Sequence, residues 1–167
     1  MARNTLSSAV DLDEFDLGIL DILQRDNLTP QRVIGEAVNL SAPAVQRRIK
    51  KMAETGVIKA NVAVVDPASV GQAITILVEV QVEREQAGLL DSTKMSFAAA
   101  SEVQQCYYVT GDADFILVIT VPTMSVYEAL TRRLFFANSN VKRFRTLVVM
   151  DRVKVGLAIP IIGQAGG

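Results

Sequence analysis

Residues 29–58 read TPQRVIGEAVNLSAPAVQRRIKKMAETGVI, and the rest of the chain is organised around them. The stretch divides into two short helices about a tight turn. Thr29 and Pro30 supply an expected N-cap and first-turn proline. Val33, Ile34, Ala37 and Val38 then place one apolar stripe at helical spacing. Asn39 and Leu40 make the turn, asparagine being a residue that tolerates the left-handed conformation. Ser41 caps a second helix whose apolar residues are Val45, Ile49 and Met52, and Gly56 ends it. Gly35 stands inside the first helix, at a cost of roughly 0.5 to 1 kcal/mol relative to alanine. Close helix packing would account for it.

Successive side chains turn about 100° around a helix axis, which puts Val45, Ile49 and Met52 on one side. Arg47 lies opposite, with Pro43, Ala44, Lys50 and Lys51 around it and Gln46 and Arg48 at the flanks. An apolar back and a cationic front suit the major groove of DNA. Residues near the helix start meet base edges, and later lysines meet phosphates. The expected DNA-contacting set is Ser41, Pro43, Ala44, Gln46, Arg47, Arg48, Lys50 and Lys51. A basic face alone is equally an ordinary solvated surface. The preceding helix, the short turn and the capping serine favour helix-turn-helix.

Charge distribution supports this. The chain of 167 residues carries a formal net charge of −1, which argues against non-specific binding to nucleic acid. Yet Arg32, Arg47, Arg48, Lys50, Lys51 and Lys59 face only Glu36 and Glu54 in their segment. Residues 11–26 hold Asp11, Asp13, Glu14, Asp16, Asp21 and Asp26 against Arg25. The positive field is therefore focused on one helix, as a specific groove binder requires. A hydrophobic fraction of 50% and a mean hydropathy of +0.29 suffice for packed cores. No apolar run reaches the roughly 18 to 20 residues that span a bilayer. The opening residues read as lacking a secretory hydrophobic region, and Cys106 is the single cysteine, so a cytoplasmic protein without membrane attachment is expected.

Taken in order, residues 1–10 read as a frayed tail. Residues 12–23 read as a first helix with Asp13 at its N-cap, Asp16 in its first turn and Leu12, Phe15, Ile19, Leu20 and Leu23 as its buried stripe. Residues 60–65, ANVAVV, read as a strand, either linker or sheet edge. Strands are then expected at 74–82, 103–110, 115–121 and 141–155, with helices at 86–100 and 124–138. The order β-α-β-β-α-β is the ferredoxin-like split motif, two helices on one face of an antiparallel sheet. The fold class is α+β: a winged helix-turn-helix domain over 1–60, a linker strand and loop over 61–72, and a ferredoxin-like domain over 73–167.

Catalytic signals are sparse. Histidine is absent, which removes the commonest general base and the commonest zinc ligand. There is no CxxC, phosphate-binding glycine loop or nucleophile elbow. Gly111-Asp112-Ala113-Asp114 places two carboxylates at a hairpin end, a poor metal site without further acidic neighbours. No catalytic residue, metal or cofactor is expected.

These residues resemble those of the Lrp/AsnC (feast/famine) transcriptional regulators. Leu12-Asp13, Asp16, Ile19-Leu20 and Leu23 are similar to that family's opening. Leu40-Ser41, Val45, Arg48, Ile49 and Gly56-Val57-Ile58 are similar to its recognition-helix signature. Val109 to Phe115 and Val121 to Tyr127 resemble segments of its effector domain. The resemblance runs from about residue 12 to residue 155. It implies a homodimer that assembles further, to an octamer, binds double-stranded promoter DNA, and takes an amino acid effector between C-terminal domains. The implied effector site comprises Thr110, Gly111, Asp112, Asp114, Phe115 and Met124. A free amino acid is a zwitterion, so Gly111 permitting close backbone approach and Asp112 or Asp114 taking the ammonium make chemical sense there. Thr123 stands where the family often has aspartate, so the effector's identity does not transfer. An architectural DNA-binding protein without effector, or a small ferredoxin-like enzyme, are the alternatives.

Overall fold

The computed structural model describes residues 11–161; the expected frayed tail over 1–10 lies outside them. The chain forms two compact units, one holding residues up to 63 together with the segment from Val155, the other Val64–Lys154.

The first unit is three helices: α1 (Glu14–Arg25), α2 (Gln31–Val38) and α3 (Ala42–Glu54). Asp13 caps α1 through a reciprocal capping box with Asp16. This satisfies two orphan donors at the helix start. Asn39 ends α2 in the left-handed conformation, φ 56°, and Ser41 Oγ accepts from the Ala44 N–H to open α3. The expectation for Thr29 fails: Pro30 takes the N-cap position of α2. The Thr29 hydroxyl turns back to donate to the Asp26 carbonyl at 2.8 Å. Ile19, Ile34, Val45 and Met52 form the buried core, with Leu20, Leu23, Val38 and Ile49 packed against it. Gly35 is explained by approach rather than by φ. A Cβ there would lie 2.4 Å from the Leu40 carbonyl oxygen, whose own N–H donates to the Gly35 carbonyl at 2.8 Å.

Residues 59–66 pair with no strand. Among the described residues the alternation of ANVAVV has no strand partner, and Val62, Val64 and Val65 are exposed. Residues 155–161, expected to extend the C-terminal domain, group instead with the first unit. There the Gln24 side chain bonds both the N–H and the carbonyl of Ile159, at 2.8 and 3.0 Å.

The second unit is β1 (Ile74–Val82), α4 (Ala87–Ala99), β2 (Val103–Tyr108), β3 (Phe115–Val121), α5 (Met124–Thr131) and β4 (Val141–Val148). The strands form one antiparallel sheet in the order β2-β3-β1-β4, the topology of the expected split motif. Strand alternation sends Ile76, Val78, Val80, Phe115, Leu117 and Ile119 to the helix-covered face. There they meet Phe97 of α4, Tyr127 and Leu130 of α5, and Phe135. Phe97 sits edge-on to Phe115 and Phe135, centroids 5.3 and 6.0 Å apart. The helix expected over 124–138 does not stay α. Beyond Thr131 it widens into a π turn, Arg132–Phe136, which lets the neighbours Leu134 and Phe135 both enter the core. The last strand ends at Val148, not 155. Its partner β1 begins at Ile74, and after the Val149 N–H bonds Thr75 there is no further ladder to join.

Candidate nucleic-acid interface and effector cleft

On α3 the buried side chains are Val45 and Met52, so the outward side is the one the sequence assigned. Ser41, Pro43, Gln46, Arg47, Lys50 and Lys51 are exposed, and Ala44 and Arg48 are half-buried. Pro43 lies in the first turn, where its missing N–H is harmless. Lys50 stands 3.8 Å from Glu54 one turn on, both exposed, a contact of little energetic weight. Among the described residues Arg47 and Lys51 make no ion pair. Their cationic groups remain available to an outside anion.

Arg48 differs from its neighbours. Its Nη1 donates to both carboxylate oxygens of Asp13, at 2.9 and 2.8 Å, and to Asp16 at 2.8 Å. Its guanidinium lies 5.5 Å from the Phe15 ring centroid. The hydrogen bonds it donates to Asp16 and then to Asp13 hold the guanidinium pKa above its ordinary value. The Asp13 carboxyl is lowered, first by the Asp16 backbone N–H and then by Arg48. Residues read in the sequence as a separate acidic segment are thus brought against the basic helix. Asp11, Asp13 and Asp16 line one shallow cleft of about 540 Å³ with Ala44, Arg47, Arg48 and Lys51. The i, i+3 spacing of Asp13 and Asp16 was visible, but nothing local named their partner.

The effector residues of the sequence analysis do not all come together. Gly111, φ 122°, sits in the turn between β2 and β3. Thr110 and Asp112 line a cleft of about 640 Å³ with Glu79, Gln81, Arg143 and Arg145 of β1 and β4. These four point away from the helix-covered face, as the pairings Glu79↔Arg145 and Gln81↔Arg143 require. Arg145 grips Glu79 at 2.8 and 2.7 Å, and that contact lowers the Glu79 pKa and raises that of Arg145. Arg143 Nε donates to Gln81 Oε1 at 2.7 Å, and Gln81 Nε2 donates to the Asp112 carbonyl. The cleft therefore presents both signs of charge.

Asp114 is committed elsewhere. Its carboxylate accepts from the Val82 N–H at 2.7 Å, while its backbone bonds Val80 and Val109, so it fastens the turn to β1. The Phe115 side chain is fully buried in the core. Met124 follows β3 at its far end, whereas the turn precedes its start. A strand of that length separates them by roughly 20 Å. Within one chain Met124 does not share a site with Asp112.

Two family models match the chain: winged helix-turn-helix DNA-binding over residues 12–59 and the Lrp/AsnC ligand binding domain over residues 75–159. An uncharacterized HTH-type transcriptional regulator of Sinorhizobium fredii is 45% identical over 153 residues, 92% of this chain and 90% of that protein. The crystal structure of an AsnC family transcriptional regulator from Agrobacterium tumefaciens has a TM-score of 0.83 at 30% identity, covering 89% of this chain and 97% of that one. A transcriptional regulator of Neisseria meningitidis, solved as its complex with L-Met, has a TM-score of 0.83 at 22% identity over 91% of this chain and 98% of that one. At that identity the likeness is one of fold. Among the described residues no helix is long and apolar enough to cross a membrane.

Proposed function

Since the chain belongs to the Lrp/AsnC family of transcriptional regulators, we propose that it binds promoter DNA through the exposed face of α3 and responds to an amino acid. The observation that carries the DNA reading is the availability of Arg47 and Lys51, exposed on a helix whose opposite side is anchored by Val45 and Met52. Arg47, near the helix start, reaches base edges, and Lys51 reaches phosphate. Fluorescence anisotropy with a duplex enriched by the wild-type chain from a random pool tests this. Lys51→Ala weakens all sequences alike and flattens the salt slope by about 0.9. An unchanged slope and affinity would put DNA on another surface.

For the effector, the cleft beside Thr110 and Asp112 is the better candidate than the wider set. A zwitterion needs an anionic and a cationic partner, and Asp112 and Arg143 are on that cleft. The Neisseria regulator's complex with L-Met supports the ligand class. Specific binding to the native state raises the melting temperature, so a thermal-shift screen of the twenty amino acids, followed by calorimetry on Asp112→Asn, tests the site. Full affinity in Asp112→Asn would remove this carboxylate from it. Regulation then requires unequal affinity for two states of the protein.

Self-association is part of the proposal. Leu77, Ile116, Val118 and Leu147 occupy one patch of the sheet face that carries no helix. A second copy is its natural cover, and a dimer pairs two DNA-binding units for two half-sites. Light scattering at micromolar concentration should report a dimer or larger, and a monomer would overturn this part.

A further inference from the structure

Arg48 is carried by the helix assigned to DNA, yet its guanidinium is turned inward along the protein. One nitrogen, Nη1, serves three carboxylate oxygens on two residues of the α1 start, and the Phe15 ring lies under the group. Those two carboxylates are themselves held in place. The Asp16 N–H donates to Asp13 at 2.9 Å and the Asp13 N–H to Asp16 at 3.4 Å, and Asp16 is buried. Donor and acceptors are therefore pre-set before any DNA arrives.

We infer that Arg48 is a positioning residue rather than a DNA contact, and that Asp13 and Asp16 of α1 are the receptor that fixes the roll of α3 for base reading. This rests on the reading of α3 as the DNA-binding helix. Apolar packing alone leaves that roll loosely set, because four side chains make up the buried core of the unit and hydrophobic contact is non-directional. An ion pair with fixed geometry adds the missing direction, which is the best attested use of such pairs. Arg47 is the next residue along the helix, so a small rotation about the axis moves its guanidinium away from the base edge it reads. Bidentate base contacts tolerate such displacement poorly.

Positioning and simple electrostatics predict opposite signs for the loss of an α1 carboxylate. Asp11, Asp13 and Asp16 border the same cleft as Arg47 and Lys51, so if they acted only through charge, removing one would reduce repulsion of the phosphates and tighten binding. Under the positioning reading, removal loosens α3 and weakens specific binding. Asp13→Asn is the cleanest probe. Asparagine remains a good N-cap, so α1 keeps its start while the charge opposite Arg48 is lost.

The experiment measures full-length wild type, Asp13→Asn, Arg48→Ala and the double variant on the enriched duplex and on a scrambled one. It is run across a salt series at a temperature where circular dichroism shows all of them folded. The expected result is a fall in the ratio of specific to scrambled affinity of about tenfold for Arg48→Ala, the order of one disturbed bidentate base contact, a smaller fall for Asp13→Asn, and no further loss in the double variant, since coupled partners are not additive. The salt slope of Arg48→Ala stays that of wild type. Tighter or unchanged specific binding by Asp13→Asn would overturn the inference, as would a slope flattened by about 0.9 in Arg48→Ala, the mark of a lost phosphate contact. Should Arg48→Ala unfold, Asp13→Asn alone decides by its sign. If wild type itself binds no DNA, the functional reading falls and takes this one with it; wild-type binding with the wrong sign removes this one alone.

Discussion

Among the described residues, thirteen hydrophobic side chains make the buried core of the C-terminal unit, and four make that of the N-terminal unit. The larger core is filled by Phe97 packed edge-on to Phe115 and Phe135 and by the inward side chains of the two central strands, β1 and β3, so its shape follows from alternation and volume. The smaller one holds its helices by individual devices instead. These are the Asp13–Asp16 capping box, Asn39 in the left-handed region, the backbone approach at Gly35 and the Arg48 ion lock. A unit built on burial tolerates the loss of one contact. A unit built on a few special geometries does not, and here that unit is the one assigned to base reading.

Phe97→Ala tests the burial side. Removing a fully buried ring costs about 3 to 5 kcal/mol, and the C-terminal transition in a thermal melt should fall accordingly while the N-terminal one stays in place. Gly35→Ala tests the other side. Alanine usually favours a helix, but here its Cβ meets backbone, and a forced shift costs about 1 to 3 kcal/mol. That smaller number should do more harm, since a unit of this size has little stability to lose. Loss of the N-terminal transition at a temperature where Phe97→Ala still keeps both would sharpen the contrast, and a stabilised Gly35→Ala would break it. Asp114→Asn should cost about 1 kcal/mol of C-terminal stability, because its carboxylate bonds the Val82 N–H. Asp112→Asn should cost none. Equal melting of those two variants would mean that Asp114 does not fasten its turn.

How much of this was legible depended on distance along the chain. The turn at Asn39, the Ser41 cap and the β-α-β-β-α-β order could be read because each is written in neighbouring residues. Arg48 could not, because its partners lie 35 and 32 positions away and periodicity only marked it as a flank. Gly35 signalled a close approach in the sequence, but its partner is the Leu40 carbonyl of the following turn rather than a packed helix. Two positions within the expected effector set could be placed by counting. Phe115 shares the inward register of Leu117 and Ile119, and Met124 lies a whole strand beyond the Gly111 turn. The end of β4 was not, since it depends on where β1 begins.

Base selection by wild type and Arg47→Ala from the same random duplex pool tests the central claim most directly, that α3 reads DNA with its exposed face. The account predicts that wild type enriches a two-fold symmetric motif. In Arg47→Ala one guanine position in each half-site should lose its preference, at a cost of about 1 to 3 kcal/mol of discrimination, while the other positions stay selective. An Arg47→Ala motif identical to that of wild type, from a protein that still binds DNA, would contradict it.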